Sequence, residues 1–191
     1  MQQPKVNIIF DSRQNEDYGR LLSEFITQEI VNYKFWDAII YTDSVIKSIN
    51  ASHKMIVRAA KDNKEIECVV AEQDLEFSSP NSLKYFLENK PQTFDVYIGG
   101  SYLIDDRNEY KAPLVKVNEW IGNHFYIISE KYYDKFLALP DDHHIDIVQK
   151  GLGDFYLCYP MVALQRPGFS ANNHADVNYN LLLREEDIYK Q

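Results

Sequence analysis

In ECVVAEQDLEF, residues 67–77, an apolar run ends in Glu72, Gln73 and Asp74. If the chain stays extended there, side chains alternate, so Glu72 and Asp74 point one way and Gln73 the other. Two oxygen-rich groups on one side, with Glu76 following, suit a hard cation such as Mg²⁺ or Mn²⁺. Such an ion could bridge two phosphates of an activated donor and neutralise charge developing on a leaving group. The competing reading is a solvated strand end, where acids are common. A second polar cluster, His143, His144 and Asp146, lies in DDHHIDIV. His144 and Asp146 are two apart and share a side if extended, so either can ligate a metal or act as a general base. Histidines capping a loop after Pro140 are the alternative.

The elements around these clusters are legible in outline. KVNIIF reads as a buried strand, YGRLLSEFITQEIV as a helix with an apolar stripe, and FWDAIIYTD as a second strand. A helical region follows between Ser44 and Asn63, with Asn63 as its C-cap, and EIECVVAEQDLEF is the third strand. SPNSLKYFLENK suits a short helix capped by Ser78 or Ser79 with Pro80 in its first turn. FDVYIGG is a strand ended by Gly99 and Gly100, where a tight turn or close approach by a sugar or a backbone explains the paired glycine. SYLIDDRNEYKAP is turn-like. VKVNEW and NHFYIIS are expected to pair as antiparallel strands around Ile121–Gly122, and EKYYDKFLAL to form a helix stopped by Pro140. The final LLLREEDIYKQ fits either a packed helix or a frayed tail. Strand and helix alternate through the first half, which predicts a mainly parallel central sheet with helices on both faces. In such sheets ligands bind beyond the carboxyl ends of the strands, where Asp11, Ser12, Arg13 and the Glu72–Asp74 run fall.

A chain of 191 residues is expected to fold as one domain over 1–191. Its charge of −9, from 20 basic and 29 acidic residues, disfavours a nucleic-acid partner that must be held along many phosphates. It does not exclude a small phosphorylated ligand, because a bound cation reverses the local field. No transmembrane segment or secretory leader is evident, so a cytoplasmic protein is expected, with room for association with a partner protein or a membrane assembly. Cys68 and Cys158 have no zinc or dithiol spacing and read as small buried hydrophobes. There is no Gly-rich phosphate loop followed by Lys, and no G-x-G-x-x-G behind a strand.

Five segments in order carry a resemblance. SHKMIVRAAKDNKEIECVVAEQDLEF, GNHFYIIS, HHID and PMVALQRPGFS match a Ser-His helix start, an apolar strand into an acidic triplet, and three later segments. In this the chain resembles family 25 glycosyltransferases of the lipopolysaccharide-biosynthesis type and their short capsular relatives, over about residues 5–180. The middle acid of the triplet is Gln73 here, which leaves Glu72 and Asp74 to hold the ion. The resemblance implies a GT-A-like domain using Mn²⁺ or Mg²⁺, a nucleotide diphosphate sugar as donor and a glycan hydroxyl as acceptor, with inversion. It places Asp11, Arg13, His53, Glu72, Gly99, Gly100 and Gln165 at the donor, and Glu72, Asp74 and His144 at the metal. Asp146 then serves as the base that takes the acceptor proton, with His144 orienting it. The alternatives are another nucleotide-dependent transferase, or a non-catalytic scaffold that retains the fold.

Overall fold

The computed structural model describes residues 3–13, 16–102 and 110–191; most of the turn expected over 101–113 lies outside them. Eleven strands and five α-helices are present among these residues. Seven strands form the central sheet: β1 (Val6–Phe10), β2 (Tyr33–Asp37), β3 (Glu67–Glu72), β5 (Val96–Ile98), β6 (Leu114–Val117), β7 (Phe125–Ser129) and β8 (Phe155–Cys158). Their spatial order is β2-β1-β3-β7-β5-β8-β6. Two small ribbons lie outside the sheet, β4 (Leu75–Phe77) with β9 (Ala163–Gln165), and β10 (Gly168–Ser170) with β11 (Ala175–Val177).

The third strand is interior, between β1 and β7, as its unbroken apolar run requires. The sheet is nonetheless mixed: β1, β2, β3, β5 and β8 run one way and β6 and β7 the other. β1 pairs in parallel with β2 and β3, and β5 with β8, but β7 runs against both β3 and β5, and β6 runs against β8. The expected β6–β7 hairpin does not form, because β5 and β8 stand between the two strands. The burial patterns explain why. All five residues of β7 are buried, which demands cover on both faces and suits the interior of the sheet. β6 alternates, turning Lys116 to solvent as an edge strand does.

Helices α2 (Val45–Asp62), α4 (Glu130–Leu137) and α5 (Ile145–Val148) cover one face, and α1 (Glu16–Thr27) and α3 (Ser82–Glu88) the other. Adjacent residues of β3 feed opposite cores: Cys68 and Val70 meet Ile56, Val57 and Phe136, while Val69 and Ala71 meet Leu21, Phe25 and Phe86. Helix α2 begins where the Ser44 hydroxyl accepts the Lys47 N–H, and it ends at Asn63 as expected. Helix α3 starts at Asn81, later than the expected serine cap; Ser78 and Ser79 instead bond the Ser82 hydroxyl from outside the helix. FWDAIIYTD is a strand only to Asp37, since Ile39 and Tyr41 turn their N–H groups to Ser52 and Ser48 of α2. The C-terminal segment packs through two 3₁₀ turns, burying Asp187 and Tyr189. Both cysteines are free and buried. No helix among the described residues is long and apolar enough to cross a membrane.

Candidate functional site

The site gathers along one edge of the sheet. The carboxyl ends of β1, β3 and β5 lie there beside the start of β7, because Ala71 pairs with Phe125 and Ile98 with Tyr126. Asp11, Glu72, Gly99 and His124 all project from this edge.

Glu72 closes β3, and its N–H bonds the His124 carbonyl at 3.0 Å. Its Oε1 lies 2.9 Å from His53 Nε2, and His53 Nδ1 lies 2.9 Å from the Tyr126 hydroxyl. His53 is 1% exposed, so this imidazole faces Glu72 and the core instead of an open cleft. Burial alone would raise the Glu72 carboxyl. The His53 hydrogen bond and charge outweigh it and hold the group below the ordinary carboxylate range.

The strand ends at Glu72, so side-chain alternation does not carry through to Asp74. Residues 73 and 74 form the turn into β4, and Arg20 of α1 clamps it by donating to the Gln73 and Leu75 carbonyls at 2.6 and 2.8 Å. The Gln73 amide oxygen accepts the Asp11 N–H at 2.6 Å and so stitches the ends of β1 and β3 together. Asp74 accepts from the Gln165 amide at 2.5 Å through Oδ2, whereas its Oδ1 is shielded from solvent with no hydrogen-bond partner among the described residues. Burial first, and then the charge of Glu72, push the Asp74 carboxyl up to about 7 against the opposing bond from Gln165. The two acids therefore act on one another, and one of them carries an unanswered oxygen.

Gln165 ties a second group to the acids, accepting the Tyr102 hydroxyl at 2.6 Å. Tyr102 stacks on Tyr179 at 4.3 Å between centroids and lies nearly parallel to His124 at 5.9 Å. Its hydroxyl is raised far above the ordinary phenol value by burial, then by Glu72 and Asp74. His124 Nε2 donates to the Ala163 carbonyl at 3.2 Å, which leaves Nδ1 as the lone-pair nitrogen, buried and without a partner among the described residues. Burial lowers the pKa of this ring and favours the neutral form.

Gly100 and Gly122 permit this packing. A β-carbon on Gly100 would lie 1.9 Å from the Ala163 carbonyl oxygen, and Gly122 holds φ +104° with Tyr102 where its β-carbon would go. Gly99 meets Phe125 in the same way. Both members of the Gly99–Gly100 pair thus approach the chain's own side chains and backbone. Gly100→Ala is expected to cost about 3 kcal/mol, at the upper end of overpacking penalties, because the obstructing atom is backbone. Urea unfolding of the variant checks this.

The second cluster differs from its expected form. His144 is the N-cap of α5 and Asp146 lies inside that helix, so the two do not share a side of an extended chain. The Asp146 carboxylate is buried and accepts two backbone N–H groups, from Gly122 at 2.9 Å and Ile147 at 2.9 Å. It contributes to the field on Tyr102, as Glu72 and Asp74 do, which places it at the same end of the sheet. His144 is half-buried and makes no side-chain capping bond. Asp11 and Arg13 form a bidentate pair at 2.8 and 2.6 Å, and the Arg13 guanidinium holds Asp11 below its ordinary value despite partial burial. Sequence reasoning missed Tyr102, Tyr126 and Arg20, whose roles depend on contacts far along the chain.

Among the described residues no set of three or more His, Cys, Asp or Glu side chains is arranged to hold a metal ion. Two oxygens at this edge of the sheet are candidate ligands: Glu72 Oε2, which His53 does not engage, and the unpartnered Asp74 Oδ1. Two carboxylates are the number with which Mg²⁺ commonly binds when phosphates and water complete its octahedron.

No family model matches the sequence, and no curated protein matches it. Among solved structures, the chain is similar to A197 from STIV, with TM-score 0.50 and 12% identity over 92% of this chain and 93% of that one. HddC from Yersinia pseudotuberculosis shares 13% identity at TM-score 0.46, over 85% of this chain and 93% of its own. A glycosyltransferase involved in glycosylation of the major capsid of PBCV-1 shares 8% identity at TM-score 0.43, over 69% and 62%. At these identities the likeness is one of fold. The chain has a compact α/β domain with a mixed central sheet flanked by helices, the fold it shares with A197 from STIV.

Proposed function

We propose that this protein is a glycosyltransferase that moves a hexose from a nucleotide diphosphate sugar to a hydroxyl of a glycan acceptor, with Mn²⁺ or Mg²⁺ as cofactor. One observation carries the proposal: two mutually repelling, largely buried carboxylates, Glu72 and Asp74, stand at the strand ends with an oxygen left unpaired. A purely structural turn gains nothing from such a pair, since burying an unmatched carboxylate costs stability. In this reading the Glu72 and Asp74 carboxylates would hold the ion, and what it would supply there is positive charge against a diphosphate.

The chain's own groups set the geometry. Gln165 fixes Asp74 and Tyr102 together, and Gln73 and Arg20 lock the turn that carries Asp74. Asp11 and Arg13 lie just beyond the adjoining end of β1, and in this reading the nucleotide would lie against them. Asp146 fixes the Gly122 loop through backbone bonds, and in the role of base it would take the acceptor proton on an oxygen that already accepts one N–H. His144, at the N-cap of the same helix, would orient the acceptor side in this reading.

The direct test is release of nucleoside diphosphate from UDP- and GDP-hexoses, measured with Mn²⁺ and with chelator. Metal-dependent release from one donor, lost in Asp74→Ala, is the expected result. Absence of release from every donor, with and without simple glycan acceptors, would count against transfer.

A further inference from the structure

The central sheet has an open edge at β2. This strand pairs only with β1, and its outer side has no partner strand among the described residues. Along a strand the backbone groups of alternate residues turn to alternate sides. The Asn32 carbonyl accepts the Val6 N–H, and the Ala38 N–H donates to the Phe10 carbonyl, so Asn32, Lys34, Trp36 and Ala38 face β1. Tyr33, Phe35 and Asp37 therefore turn their N–H and C=O groups outward. Such a row is a template for another strand unless it is guarded. The usual guards are missing here. The strand holds no proline, its register against β1 is unbroken by a bulge, and its one lysine, Lys34, folds over the Trp36 ring at 3.4 Å from the centroid. Apolar side chains gather along the same border. Tyr18, which packs on Phe35, and Val31, Tyr33, Ile40 and Tyr41 are five of the twelve large apolar residues exposed among those described. Single exposed apolar residues are ordinary, but a group of them along an unpaired edge marks an interaction surface.

The strand is suited to a copy of itself. Antiparallel strands related by a two-fold axis through the sheet set one residue opposite its own copy. With Phe35 at the axis, Tyr33 meets Asp37 and Lys34 meets Trp36. All the outward residues of β2 then fall in pairs that exchange both backbone hydrogen bonds. Each Lys34 comes over the other copy's Trp36, a ring that already holds a cation in the single chain, and no like charges face one another. An axis at Lys34 would set lysine against lysine, and one at Asp37 acid against acid. An axis at Tyr33 or Trp36 would leave outward residues of β2 unpaired. We infer that this protein associates with a second copy of itself through β2, by antiparallel pairing centred on Phe35 that joins the two sheets into one. Two seven-stranded sheets so joined stay within the size of known open α/β sheets. The surface is independent of the function proposed above, and the carboxyl ends of β1 and β3 in the two copies lie at opposite ends of the joint sheet.

Sedimentation velocity of the full chain over a concentration series reads the association, and a dimer is expected. Tyr33→Pro removes an outward N–H and leaves the bonds to β1 in place, and proline is tolerated at such an edge position. It takes one hydrogen bond from each half of the pair, so dimerisation should weaken about tenfold or more. Tyr33 and Asp37 are exposed, so cysteines there read the register. Tyr33→Cys mixed with Asp37→Cys should give a mixed disulfide on mild oxidation, since paired residues have Cα atoms about 5.5 Å apart. Neither variant alone should cross-link, because identical positions then lie about 13 Å apart or more. The native Cys68 and Cys158 are buried, and burial pushes both thiols up to about 12, which keeps them out of exchange. A chain that is monomeric at every concentration overturns the inference and leaves the edge to an extended peptide of another protein. A dimer that a folded Tyr33→Pro leaves intact, or one in which either cysteine variant cross-links with itself, overturns it as well. Should Tyr33→Pro fail to fold, the cysteine mixture decides alone.

Discussion

Asp74→Asn is expected to act in opposite directions on binding and on stability. Metal-assisted affinity for a nucleoside diphosphate should fall about 100-fold, at the upper end for loss of an interaction that organises a metal site. The same variant, free of metal, should be more stable than the wild type at pH 8, on the order of 2 kcal/mol once solvent access to the carboxylate is allowed for. The sign follows from the carboxyl being raised to about 7 in the folded chain, above its unfolded value of 3.8. The stability that Asp74 contributes is fully present below about 3.8 and is lost as pH rises through about 7. Above that pH the wild type holds a buried charge against Glu72, and asparagine removes it. The gap between variant and wild type should therefore narrow as pH falls from 8 to 5. Chemical unfolding at both pH values reads the stability, and titration calorimetry reads the affinity. Loss of stability in Asp74→Asn at pH 8 would mark the residue as structural.

Asp146→Asn carries the second large effect. The carboxylate receives N–H groups on both oxygens, whereas an amide has one oxygen and would turn its NH₂ toward either Gly122 or Ile147. Leaving one of these N–H groups facing a donor should cost about 1–3 kcal/mol in unfolding experiments. If Asp146 also takes the acceptor proton, turnover should fall about 10²–10⁴-fold while donor affinity stays close to wild type. An unchanged unfolding midpoint would remove its role in fixing the Gly122 loop. Unchanged turnover would remove its role as base.

The parts of this molecule that the sequence displays are those set by local pattern. ECVVA, apolar without alternation, reads as an interior strand and is one, and Asn63 ends α2 because a cap is a local device. Strand order is not local. The insertion of β7 between β3 and β5 depends on cover from both sides, and its only trace is that FYIIS lacks the alternation shown by LVKV. The site divides in the same way. Glu72 and Asp74 stand out as an acidic strand end, yet their relation comes from a turn clamped by Arg20 from 53 positions away, not from strand alternation. Likewise the 73 positions between His53 and Tyr126 hide the pair that holds Glu72. Periodicity in HHID could not distinguish an extended segment from a single helical turn, so the first helical turn at Asp146 was missed.

Titration calorimetry of UDP and GDP against the wild-type chain, in Mn²⁺ and again in chelator, tests the central proposal most directly. At least one of the two nucleotides is expected to bind ten times more tightly or better with Mn²⁺, about 1.4 kcal/mol or more in binding free energy. Equal affinities in the two conditions, or no binding in either, would contradict a cation bridging Glu72 and Asp74 to a diphosphate.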